Sequence, residues 1–145
     1  MARTLVARHG TAAVGQAETL SVGRGVLWGV AGYVCFSLAP ALGLPPELPG
    51  MAAASLTARQ LWWVATVAST ALSLALLVFT RRAPMKTLGV ALLIAPHVVG
   101  APAVTASSAI PAEVAASFAA ASLITAALFW FVLGAVSGWL HRRLI

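Results

Sequence analysis

Four intervals without Lys, Arg, Asp or Glu divide this chain. They hold 22 residues between Arg24 and Glu47, 21 between Arg59 and Arg81, 26 between Lys86 and Glu113, and 27 between Glu113 and His141. A membrane-crossing helix needs about 20 consecutive apolar residues, so each interval is long enough to hold one. Only 8% of the 145 residues are charged and 61% are hydrophobic, whereas a soluble domain carries about 25% charged residues. The expected fold is all-α, an integral membrane helical bundle of about four transmembrane helices over residues 23–145. Residues 1–22, with Arg3, Arg8, His9 and Glu18 among small residues and no apolar run, are expected to be a flexible cytoplasmic N-terminal segment rather than a targeting peptide.

The net charge of +6 could point to nucleic acid, but the nine Lys and Arg stand singly or in pairs at the ends of apolar segments. That is the chemistry of membrane orientation, and nucleic-acid binding is rejected. The lone Cys35 has no partner for an intrachain disulfide and reads, with Met51, as a packing residue.

In chain order, the first span runs from Gly25 to Leu42. Gly25, Gly29 and Gly32 share one helical face, where missing side chains admit a second helix. Pro40 should kink or end it, and Gly43 to Gly50, with Pro45-Pro46 and Pro49, should form a stiff loop carrying Glu47. Thr57 and Gln60 have capping-box spacing, so the second span is expected to begin at Thr57 and run to Phe79, with Trp62-Trp63 as an interfacial belt. Arg81 to Lys86 reads as a basic turn. The third span, Thr87 to Ala101, is about 15 residues or ~22 Å, short for a bilayer. Pro111 and Glu113 then open the fourth helix in the favourable dipole sense. That helix carries a Gly134-x-x-x-Gly138 pair and ends in a basic anchor, His141-Arg142-Arg143.

The third span holds the most informative chemistry. Pro96 removes an amide donor and frees a carbonyl one turn back, and His97 places an imidazole in a hydrophobic stretch, where ionisable groups are costly and usually functional. Short, proline-broken segments of this kind line ligand sites in transporters. Lys and Arg alternate along the chain, which predicts four crossings of the cell membrane with both termini cytoplasmic. His97, Glu47 and Glu113 then share the extracytoplasmic side with Arg59. An imidazole and two carboxylates suit a borderline divalent metal, so His97, Glu47 and Glu113 are the candidate metal ligands. The plainer readings are a helix-end histidine bonded to a backbone carbonyl, a solvated loop carboxylate, a helix-dipole partner and, for Arg59, a snorkelling side chain. Protons compete with metal for neutral imidazole, so binding through a histidine is expected to weaken as pH falls between about 8 and 5. No G-x-S-x-G or GK[ST] is present and the chain has three carboxylates in all, so no enzyme activity and no bound cofactor are expected.

Several ordered motifs carry a resemblance. Gly25-Val-Leu-Trp-Gly-Val-Ala-Gly, Leu-Ala-Pro-Ala-Leu-Gly-Leu-Pro-Pro-Glu-Leu-Pro-Gly50, Ala58-Arg-Gln-Leu-Trp-Trp63, Pro96-His-Val-Val-Gly-Ala-Pro102 and Phe129-Trp130 with Leu133-Gly134 resemble the CbtA family of cobalt transporter subunits over about residues 23–140. The resemblance implies uptake of cobalt(II) for cobalamin synthesis, together with a small single-helix partner, CbtB, that has a histidine-containing metal-binding end. It supplies no ligand set. Members of that family usually carry further membrane helices ahead of the stretch that matches Gly25 onward, and residues 1–22 show no apolar run, so the resemblance leads to the expectation of an N-terminally short member. A second reading is a non-transporting membrane scaffold that packs with partner helices through Gly25, Gly29, Gly32, Gly134 and Gly138. Membrane lipids are expected partners under either reading, and homo-oligomerisation is compatible with both.

Overall fold

Charge, proline and glycine set where the apolar intervals become helices. The computed structural model describes residues 21–104 and 110–144. In it, α1 (Ser21–Tyr33) passes through a wide π-helical turn (Val34–Leu38) into a short α2 (Ala39–Ala41), followed by α3 (Leu56–Phe79), α4 (Ala83–Val99) and α5 (Ala112–Leu144). The described residues contain no strand, so the chain is all-α. Val22–Ala41, Leu56–Phe79 and Ala112–Leu144 are long and apolar enough to cross a membrane, and Ala83–Val99 is a shorter apolar helix. The segment expected over residues 1–22 lies outside the described residues except for Ser21 and Val22, which open α1. His9 and Glu18 lie outside them too, as do residues 105–109.

Three boundaries have identifiable causes. Pro40 offers no amide, and the helix ahead of it widens, with the Ala39 N–H donating to Val34 O, five residues back; such insertions are a standard way for a helix to absorb a proline. The helix then ends at Ala41. At the start of α3 the cap is Ser55 rather than Thr57. Its backbone is extended (φ −55°, ψ 140°) and its Oγ accepts from the Ala58 N–H at 3.4 Å, which places Thr57 already inside the helix and dissolves the expected Thr57–Gln60 box. Part of the basic turn is helical as well. Pro84 sits in the first turn of α4, where no amide donor is needed, and this lengthens the third helix to 17 residues.

The interior inverts the pattern of a soluble protein. The fully buried side chains are Thr66, Thr70 and Ser73, while Leu27, Trp28, Val78, Phe79, Val99 and Ile124 are among many large apolar groups left exposed. A chain in lipid has no hydrophobic reason to bury leucine, so small and polar residues occupy helix contacts instead. The chain is a membrane protein.

Two compact units are distinguishable: the chain up to Val30 with Leu128 onward, and Ala31–Ala127. In the first, a Cβ added at Gly25 would strike Gly134 O and lie 2.8 Å from Gly138 Cα, and one at Gly29 would strike Trp130 O and lie 3.2 Å from Gly134 Cα. The start of α1 and the end of α5 therefore meet backbone to backbone. Gly32, half-buried, belongs to the second unit. There α3 packs along α4. A Cβ at Gly89 of α4 would stand 3.2 Å from Ser73 O and from Leu77 Cγ, so the helices are close. The carbonyl that Pro96 leaves without its helical donor, Leu92 O, accepts the Ser69 hydroxyl of α3, which meets the requirement that every backbone group at membrane depth find a partner.

Candidate functional site

Around Trp62, in the first turns of α3, the second unit brings together three of its ionisable groups, Glu47, Arg59 and His97. Arg59 and Trp62 are three residues apart and so share a helix face. The Arg59 guanidinium holds Glu47 of the proline-framed loop in an ion pair at 2.9 Å, the two side chains being 34% and 17% exposed. Trp62 is buried. The His97 ring lies against it edge to face, centroids 6.1 Å apart at 70°, and a Cβ at Gly43 would strike the Trp62 ring and lie 3.1 Å from the Ala101 Cβ. The loop after α2, the start of α3 and the end of α4 thus converge on one indole.

The local causes are legible. Gly43 is flat enough to admit the Trp62 ring, and Pro45-Pro46 stiffens the segment that delivers Glu47. Gly100, with φ 86°, ends α4 three residues past His97 in a conformation that glycine adopts without cost. His97 is half-buried, and its imidazole has no hydrogen bond to any described residue, so the backbone-carbonyl partner of the plainer reading is not found there. Glu113 is exposed in the first turn of α5 and pairs with no described cation. Among the described residues no group of three or more His, Cys, Asp or Glu is placed to hold a metal ion. Glu47 and His97 are therefore tied to one cluster through Arg59 and Trp62, and Glu113 has no contact with that cluster among the described residues.

Two buried donor atoms in the cluster, the Arg59 Nε and the Trp62 Nε1, have no hydrogen-bond partner among the described residues. Sequence reasoning placed Arg59 on the same side as Glu47 but read Trp62 as belt. The three-residue step from Arg59 to Trp62, which puts both on one helix face, was the available signal.

These features define an all-α membrane protein with an ionisable cluster at one end of its α3–α4 hairpin. The chain belongs to the family described as "Probable cobalt transporter subunit (CbtA)", whose profile matches residues 4–142. That match covers nearly the whole chain and reaches well ahead of Gly25. Comparison with curated proteins and with solved structures gives no match.

Proposed function

We propose that this chain is a membrane subunit of an uptake transporter for a divalent transition-metal ion, cobalt(II), with His97 and Glu47 at its outer entrance and Glu113 on the same side. Membership in the cobalt-transporter-subunit family over residues 4–142 carries this reading. The His97 imidazole, without a hydrogen bond to any described residue and at the end of a proline-broken helix, supports the location. A borderline dication accepts both imidazole nitrogen and carboxylate oxygen. Glu47 is engaged by Arg59, so an arriving dication competes with the guanidinium for the carboxylate, and Arg59 acts as an occupant of the site until metal comes. The alternation of Lys and Arg supports several crossings of the cell membrane with both termini cytoplasmic, and the family supports a CbtB-like single-helix partner. A homo-oligomer fits the same picture.

The scaffold reading rested on glycine faces. Gly25, Gly29, Gly134 and Gly138 lie against one another within the chain, so of the five glycines a partner helix would be left with Gly32 or would need another surface.

The test is cobalt uptake by cells lacking other importers. His97→Ala with Glu47→Ala should reduce uptake to the level of cells without the protein, and Arg59→Gln should lower the cobalt Kd of the purified chain. Undiminished uptake by the double variant would remove these two residues from the route.

A further inference from the structure

The unit formed by the start of α1 and the end of α5 contains a crevice that the transport reading does not use. It has a volume of about 480 Å³, is floored by Gly25, Gly29, Gly134 and Gly138, and is walled by residues that include Trp28 and Leu133, with Arg24 and His141 also lining it. Arg142 follows His141 in sequence and is exposed, and the Arg143 guanidinium lies 4.9 Å from the centre of the Trp139 ring. Neither described carboxylate, Glu47 or Glu113, belongs to this unit, so among the described residues its cations have no counter-ion within it.

The positive charge has a partial explanation at α5, where cations in the last turn complement the negative end of the helix dipole. Arg24 has no such explanation. It stands in the first turn of α1, where the dipole is already positive and a cation is disfavoured. An exposed guanidinium at that position, beside a histidine and above an apolar cleft, matches a group with an anion at one end and hydrocarbon behind it. Basic pockets between membrane helices take phospholipid head groups in this way, and tryptophans at the same level are suited to the boundary between head group and acyl chain.

We infer that this crevice is a binding site for an anionic phospholipid, its phosphate held by Arg24 and His141 and one acyl chain lying between Trp28 and Leu133. The glycine crossing makes the cleft, because side chains at Gly29 or Gly134 would force the two helices apart and remove its floor. Free phosphate would use the cations but none of the apolar wall.

The experiment is native mass spectrometry of the full-length, delipidated protein in detergent, titrated with phosphatidylglycerol or with phosphatidylcholine of the same acyl chains. Retention of phosphatidylglycerol at least tenfold above phosphatidylcholine is expected. Arg24→Gln with His141→Gln should abolish that preference, and Ser137→Leu, which fills the crevice without changing charge, should lower retention of the anionic lipid. Arg81→Gln, an exposed cation in the other unit, should leave it unchanged. Equal retention of the two lipids would overturn the inference, as would an equal loss with Arg81→Gln, which would show diffuse charge attraction. Displacement of the lipid by glycerol phosphate would do the same, since it would mean that the acyl chain contributes nothing.

Discussion

Two helix contacts in this molecule solve the same problem with different chemistry. Where α1 starts and α5 ends, glycine lies on glycine and the backbones touch. Between α3 and α4, hydroxyls line one helix and a single glycine, Gly89, admits it. In lipid there is no hydrophobic force to press helices together, so close van der Waals approach and interhelical hydrogen bonds are the two resources available. The first contact depends on absent side chains and tolerates no addition. The second depends on present ones, and its members are unequal: Ser69 satisfies Leu92 O across the contact and Thr66 donates to Trp62 O of its own helix at 2.9 Å, while the hydroxyls of Thr70 and Ser73 are buried without a partner among the described residues.

Substitutions can separate the two. Gly25→Leu should be the most damaging, because even its Cβ would overlap the Gly134 and Gly138 backbone; a loss of roughly 3 kcal/mol or more is expected for backbone overlap that no rotamer relieves, measured by unfolding in mixed detergent and denaturing surfactant. Ser69→Ala should cost about 1 kcal/mol, the usual worth of an interhelical hydrogen bond in a membrane, and the same unfolding assay should register it in the α3–α4 contact. Thr70→Val should be the mildest, within about 0.5 kcal/mol of neutral or slightly stabilising, since it replaces an unpaired buried hydroxyl with a group of the same shape. A large loss from Thr70→Val would mean that this hydroxyl has a partner, such as a buried water or an ion, and would redraw the second contact.

The spans were readable because charge is forbidden in them, and a run without charge shows itself in one dimension. The extra turn at Pro84 and the cap at Ser55 were missed because several residues near each boundary could do the same work, and only backbone dihedrals choose among them. Pro96 was legible as a source of an unpaired carbonyl. That Ser69 would answer it was not, because the pairing depends on how α3 is rotated against α4. The cluster followed the same rule: Glu47, Arg59 and His97 were drawn to one side by topology, but the indole joining them belongs to a helix face that periodicity alone does not orient. Glu113 was grouped with them by side alone, and a shared side does not fix a distance.

The 17 residues of α4 make it only ~26 Å long, while the 33 residues of α5 extend to ~50 Å. No single bilayer thickness suits both. A hydrocarbon layer of about 30 Å is thicker than the first and much thinner than the second, so α5 must tilt or project while the lipid around α4 is drawn in. Gly100 stops α4 after Val99, so where α4 crosses a bilayer the hydrocarbon around it would have to thin to match, and His97, near that end, would stand closer to the interface than in a longer helix. Acyl-chain length would then act on α4: lipids with shorter tails relieve the mismatch, and longer ones raise its cost.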